Sequence, residues 1–337
     1  MATIEDVAKL AGLSRTTVSR VINDQPYVTE EKKQRIIQAM KQLGYVPNSS
    51  ARRLRSQKTE TIAVLLPRVT NPFYGNLIEA MEERASELGY QVIVCQTHDS
   101  KQKELDYLQL LHTKQVDGVV MTSVINEWEE IEPFLQSGPI VLCNEYRAES
   151  QVSMVHMDHR LAAYESTMHL IEQGCRRIAY VSGGRESHVS FERKLGFTEA
   201  LQEKAITFHT EMVIDWAENV QDGQRAFYDL TENFPEVDGI FTGSDEVAAG
   251  IIYEAGQSAW KIPGDIAVTG FDNQMLSLLM VPSITTISQP VREMAEKTIE
   301  VLYSQIVHKK VYQPSRYVYD HHLLVRNSSK RKTLSFQ

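Results

Sequence analysis

TIEDVAKLAGLSRTTVSRVIN, residues 3–23, spells helix, tight turn, helix. Thr3 and Asp6 stand at capping-box spacing for the first helix. Ile4, Val7, Ala8 and Ala11 share one helical face. Gly12 supplies the turn, where a side chain on the backbone would be costly. Ser14 is placed to cap the second helix. Val18, Val21 and Ile22 point back to a core, while Arg15, Thr16, Thr17, Ser19 and Arg20 face outward. A polar face near a helix N-terminus suits base edges in the major groove. Arg15, Thr16 and Arg20 are the expected base readers, and Ser14 a phosphate contact.

Downstream, Thr29 is expected to cap a third helix, Glu30 to Leu43, with Ile36, Ile37, Met40 and Leu43 inward and Gly44 ending it. Next comes YVPNSSARRLRS, residues 45–56. Asn48, after Pro47, can start one or two helical turns whose single large apolar residue is Leu54. A helix this short is unstable alone and needs a partner. Leu54 among Arg52, Arg53 and Arg55 suits a wedge into a minor groove. Without a partner the same stretch is a solvated linker with one stray leucine.

Charge separates head from body. Residues 1–58 hold 11 Lys/Arg against 5 Asp/Glu, net +6; the other residues hold 24 against 39, net -15, within a whole-chain net of -9. A basic head attracts nucleic acid and an acidic body repels it. At 337 residues the chain suits a short head on a large or double core. No apolar run is long enough to span a bilayer, and MATIEDVAKL does not read as a signal peptide. Cys95, Cys143 and Cys175 are widely spaced in apolar surroundings; buried reduced thiols and a cytoplasmic location are expected.

The body alternates strand and helix. Thr61–Leu66 is an apolar run stopped by Pro67, as a buried parallel strand should be. A helix over 74–88, a strand over 90–95, a helix over 101–114 and strands over 118–121 and 140–143 follow. The series resumes at 177–181, 239–242 and 266–271. Two βαβ series with a break near Asp158 predict an α/β core of two similar doubly wound parallel sheets behind an all-α head. Ligands of such sheets bind beyond the carboxyl ends of the strands. Phe73 and Tyr74, Asn144, Ser244 and Asp272 occupy such ends and are candidate ligand contacts. Phe73 and Tyr74 also fit a core, Asp272 fits a helix cap, and Asp245 reads as the cap of the helix after it.

Enzyme chemistry finds little footing. No Gly-x-x-x-x-Gly-Lys loop exists, and Gly183-Gly184 lacks the phosphate-binding lysine. His156 and His159 flank Asp158, but no third metal ligand is evident. Asp320-His321-His322 lies in an alternating stretch, Tyr317 to Val325, that reads as exposed strand. No Gly-x-Ser-x-Gly or Ser-x-x-Lys nucleophile occurs.

Together TIEDVAKLAGLSRTTVSRVIN, YVPNSSARRL, TNPFYG, VDGVV, SDEVAAG, IPGDIAVTGFDN and ITTISQP resemble the LacI/GalR family of transcription regulators, from Thr3 to about Arg326. The resemblance implies a three-helix headpiece and hinge helix (1–58) and a periplasmic-binding-protein-like core (59–330). One subdomain would comprise about 59–159 and 290–317, the other about 160–289 and 318–330, before a polar tail, 331–337. It further implies a homodimer, a pseudo-palindromic double-stranded operator and a small effector, a sugar or its phosphate, with no cofactor. Arg193 falls where the family places an effector-binding arginine, and Trp216 where it stacks an aromatic ring. The reading is an effector-controlled, DNA-binding repressor of carbohydrate-related genes. The alternative is a carbohydrate-binding sensor or small-molecule enzyme carrying an accessory headpiece. The tail has no leucine heptads to support a tetramer.

Overall fold

The computed structural model describes residues 2–22, 25–46, 58–183, 187–308 and 313–331. The expectations for Asn48, Arg52, Leu54 and Arg55, and for most of the tail, lie outside the described residues. The chain forms two compact units, Met1–Thr59 and Glu60–Gln337.

The first unit is a bundle of α1 (Ile4–Ala11), α2 (Arg15–Ile22) and α3 (Glu30–Leu43). Thr3 and Asp6 form a full capping box: the Thr3 N–H donates to Asp6 Oδ2 at 2.9 Å and the Asp6 N–H to Thr3 Oγ1 at 3.3 Å. Gly12 closes α1 at φ 63°, a left-handed geometry that favours glycine. Ser14 Oγ caps α2 by accepting from the Thr17 N–H at 3.1 Å. Thr29 stands at the N-cap of α3, yet its side chain makes no cap hydrogen bond. Val7, Ala8, Ala11, Val18, Ile36 and Ala39 are the buried centre, with Ile4, Val21, Ile22, Met40 and Leu43 packed around it. Ala39 is buried in this core, whereas Ile37, expected inward, is half-buried and outside it.

The second unit contains two six-stranded sheets. The first is ordered β2-β1-β3-β4-β5-β11, from β1 (Thr61–Leu66), β2 (Gln91–Gln96), β3 (Gly118–Met121), β4 (Ile140–Cys143), β5 (Ser153–Met157) and β11 (Arg316–Tyr319). All its pairings are parallel. The second is ordered β7-β6-β8-β9-β10-β12, from β6 (Ile178–Val181), β7 (Val213–Ile214), β8 (Gly239–Thr242), β9 (Ala267–Phe271), β10 (Thr285–Ser288) and β12 (His322–Leu324). The order of the first five strands is the same in both sheets, and each sixth strand comes from the C-terminal chain. β12 runs antiparallel to β10, so the second sheet is not purely parallel as expected.

α4 (Pro72–Glu87), α5 (Lys101–His112), the one-turn α6 (Trp128–Ile131) and α12 (Val291–His308) cover the first sheet; α7 (His159–Glu172), α8 (His188–Glu203), α9 (Val220–Asn233), α10 (Asp245–Gly256) and the short α11 (Met275–Leu279) accompany the second. β1 shows why its run is wholly apolar. Ile62 and Val64 enter the core on one sheet face, and Ala63 and Leu65 the core on the other.

The stretch expected to be one exposed strand, Tyr317 to Val325, is two short strands in different sheets. β11 stays in the first sheet to Tyr319 and β12 joins the second from His322, so the chain crosses between them. His321, in the crossing, reaches Glu165 Oε2 at 3.0 Å rather than facing solvent freely. The three cysteines are buried and free; burial raises the Cys95 thiol to about 11 and those of Cys143 and Cys175 to about 12.

α9 and α10 touch backbone to backbone through Gly223 and Gly250. A Cβ on Gly250 would sit 2.0 Å from the Val220 carbonyl oxygen. Gly250→Ala is expected to cost about 3 kcal/mol through overpacking, more than the helix propensity alanine gains. Urea unfolding checks this; an unchanged midpoint would show that the two helices can separate freely.

Candidate functional site

The headpiece presents Arg15, Thr16 and Arg20 exposed on one side of α2, with Thr17 and Ser19 half-buried and Val18 buried. Among the described residues Arg15 makes one long ion pair, with Glu5 at 3.4 Å and both side chains mostly exposed, which holds it weakly. Ser14 Oγ is already engaged by the Thr17 N–H and hydroxyl.

Between the two sheets of the second unit lies a cavity of about 130 Å³. It opens where strands of both sheets end: Arg68 and Asn71 after β1, Thr122 and Ser123 after β3, Asn144 after β4, Ser182 after β6, Gly243 and Ser244 after β8, Asp272 after β9 and Gln289 after β10. Of the sequence-predicted residues, Phe73, Tyr74, Asn144, Arg193, Ser244 and Asp272 line this cavity together. Trp216 does not line it. Its ring packs on the core under α9 and α10 and carries the Arg225 guanidinium at 4.9 Å, while its neighbours Ala217 and Glu218 reach the cavity.

Local structure sets each group. Asn71 caps α4 by accepting from the Phe73 N–H at 2.9 Å, which brings Phe73 and Tyr74 to the cavity floor in edge-to-face contact at 5.1 Å. Phe73 is also part of the core, so it is both wall and filling. Burial first, then Asp99 and Glu145, pushes the Tyr74 phenol up, so it stays a hydroxyl donor. Asn144 has φ 63°, a left-handed geometry that asparagine tolerates better than most residues. Ser244 caps α10, accepting from the Val247 N–H at 3.3 Å. The cap expected of Asp245 is thus made by its neighbour. Asp245 is buried instead and accepts from the Gln274 N–H at 2.7 Å.

Arg193 rises from α8, which is laid along the cavity by its N-cap Ser187. Its guanidinium lies 3.5 Å over the Phe271 ring and donates from Nη1 to the Gly243 carbonyl at 2.8 Å. Nε and Nη2 both reach His159 Nδ1 at 3.4 Å. Among the described residues Arg193 has no ion pair within 4 Å. Burial lowers its affinity for the proton, with Asp272 opposing. Asp272 sits at φ 100°, a backbone strained for a residue with a side chain. Gln289 Nε2 donates to its Oδ1 at 2.6 Å and Gln274 Nε2 to its Oδ2 at 3.3 Å. It is not a helix cap. Burial raises its carboxyl above the usual range against the pull of Arg193.

Several lining groups were not singled out from the sequence, among them Arg68, Asp99, Glu218 and Gln289. Arg68 and Glu218, one from each half, form an ion pair across the mouth, each about one-third exposed. Asp99 lines the first half, its carboxyl raised by burial. Gln289 keeps a buried Oε1 without a hydrogen-bond partner among the described residues. Only the last carried a sequence signal, since it belongs to ITTISQP at a strand end. His156, Asp158 and His159 sit at the crossing between the halves. Asp158 caps α7 through the Leu161 N–H at 2.9 Å, and His156 Nε2 accepts from Arg316 Nε at 2.9 Å. Arrayed this way, the cavity offers forked donors, a carboxylate acceptor, amides, hydroxyls and aromatic faces. Among the described residues the cavity holds no nucleophile hydrogen-bonded to a base, and the arrangement suits binding.

Residues 59–323 match the family described as periplasmic binding proteins and sugar binding domain of LacI family, and residues 3–48 that described as bacterial regulatory proteins, lacI family. The chain is similar to the NTD biosynthesis operon regulator NtdR of Bacillus subtilis, 41% identical over 89% of this chain and 91% of the relative. It is 36% identical to the ribose operon repressor of Halalkalibacterium halodurans, over 98% of each chain. Among solved structures it resembles the transcriptional regulator CelR in complex with cellobiose, at TM-score 0.73 and 29% identity over 97% of this chain and 100% of the other. A DNA-reading headpiece, a two-sheet core with a binding cleft and these relatives agree: the chain belongs to the lacI family of bacterial regulatory proteins, DNA-binding transcription regulators rather than enzymes.

Proposed function

We propose that this protein is a cytoplasmic homodimeric repressor whose operator affinity is set by an unphosphorylated sugar in the cleft. The observation that carries the reading is the charge around the cavity. Among the described residues the lining holds two guanidiniums, Arg68 and Arg193, against three carboxylates, Asp99, Glu218 and Asp272. Arg68 is already paired with Glu218. A phosphate dianion would enter a net negative, partly buried site with a single unpaired guanidinium to meet it. A neutral polyol instead finds donors at Arg193 and Tyr74 and acceptors at Asp272 and Gln289. The cellobiose complex of a similar regulator and the sugar-binding description of the matched family support the ligand class.

Ligand bound to groups from both halves would favour their closed arrangement, in which Arg68 meets Glu218. That population shift would be passed to the headpieces, bounded by the ligand's differential affinity for the two arrangements. A thermal-shift screen of matched sugars and sugar phosphates tests the reading, since binding to the folded state raises apparent stability. A shift with free sugars supports it; a shift confined to the phosphates would contradict it.

The homodimer has its own support. Met275, Leu278, Leu279 and Val281 form an exposed apolar cluster on and just after α11, the kind of surface that a second copy covers. Leu279→Glu is expected to convert the dimer to monomer in analytical ultracentrifugation at micromolar protein. An unaltered sedimentation profile would place the interface elsewhere.

A further inference from the structure

Asn144 and Arg193 come from opposite halves of the core, and one side chain touches both. His159, the first residue of α7, places Nε2 at 3.0 Å from Asn144 Oδ1 and 3.3 Å from the Asn144 backbone oxygen. Its Nδ1 faces Arg193 Nε and Nη2, each at 3.4 Å. A guanidinium can only donate, so Nδ1 must carry the lone pair and Nε2 the proton. The backbone oxygen of Asn144 can only accept, and it requires the same tautomer. The side chain of Asn144 must then turn its Oδ1 to His159, which leaves its amide hydrogens for the cavity that it lines.

We propose that His159, as the neutral Nε2–H tautomer, is a positioning residue that fixes Asn144 and Arg193 in their ligand-facing orientations, so that protonating it disarms the cleft. An imidazolium would set an N–H against the Arg193 guanidinium and break the bridge. The titratable groups acting on His159 are Arg193 from α8, His156 from β5 and His321 from the crossing before β12, all cationic when charged. The Phe271 ring covers it, centroids 6.2 Å apart. Burial and these neighbours hold its proton affinity well below the ordinary 6.5. The bridge should therefore persist through neutral pH and fail only in acid. The role rests on the cleft being the effector site, whereas the imidazole's state does not, so the two can fail separately.

Long-range proton–nitrogen NMR of the full-length protein, labelled at histidine nitrogens, tests this without any ligand. The His159 signals, assigned by their loss in His159→Gln, are expected to report the Nε2–H tautomer with no titration between pH 8 and 6. An Nδ1–H tautomer or an ordinary midpoint overturns the proposal. Two variants separate positioning from packing. His159→Asn keeps an acceptor near the Nδ1 place; His159→Gln keeps a donor near the Nε2 place. Exchange of the Arg193 Nε–H should stay slow in His159→Asn and quicken about tenfold in His159→Gln, the usual worth of one hydrogen bond. Equal exchange rates in the two variants would reduce His159 to packing and overturn the proposal. The wild-type tautomer decides the matter if either variant fails to fold.

Discussion

Arg193→Ala is expected to abolish the effector response and to leave ligand-free operator binding near wild type. The guanidinium has two N–H groups beyond those spent on Gly243 and His159. Two charge-assisted hydrogen bonds at about 1.5 kcal/mol each imply a loss of roughly 100-fold in effector affinity. The substitution also removes the cation that opposes burial at Asp272, which pushes that buried carboxyl further toward its neutral form. Arg193→Lys should recover little, because an ammonium cannot reproduce the fork or lie flat on Phe271. For an inducer the variant is a permanently operator-bound repressor; for a corepressor it mimics ligand absence. Calorimetry with a sugar that shifts the wild type is the check, and wild-type affinity in Arg193→Ala would place the site elsewhere.

Leu54→Ala is expected to lower operator affinity by about 2 kcal/mol, roughly 30-fold, with a smaller loss on random duplex. The motive is chemical. Leu54 is a large apolar side chain among arginines, and a groove would supply its burial. Phosphate contacts by such arginines would act on any sequence, while a wedge would act only on a duplex that lets it insert. Fluorescence anisotropy on both duplexes separates the roles; equal losses would make the hinge a tether.

The headpiece was the most legible part of the chain, because its signals are local. Thr3 and Asp6 at capping spacing, Gly12 at a left-handed turn and Ser14 before α2 each act within a few residues, and each takes the expected geometry. Thr29 misled because an N-cap position in sequence does not oblige the hydroxyl to accept. In the core, the strands that read clearly were apolar on both faces. β5, SMVHM, and β10, TTIS, were silent because buried serine, threonine and histidine satisfy their polar atoms through partners far along the chain. Ser153 Oγ accepts from the Ser315 N–H at 3.1 Å, and Thr285 Oγ1 from the Arg326 N–H at 2.8 Å. No periodicity carries that information. The site divided in the same way. Residues at strand ends could be named from the sequence, since parallel topology alone sends them to the cleft. Arg68 with Glu218, and His159 with its two partners, depend on how the second half sits over the first.

Linkage between a sugar in the cleft and DNA at the headpiece is expected. It is tested most directly by anisotropy titration of a fluorescent pseudo-palindromic operator, at fixed salt, with and without a saturating sugar chosen by thermal shift. Wild-type operator affinity should change by about tenfold or more, a coupling of about 1.4 kcal/mol, and Arg193→Ala should show no change. Superimposable wild-type curves with and without bound sugar would contradict the account.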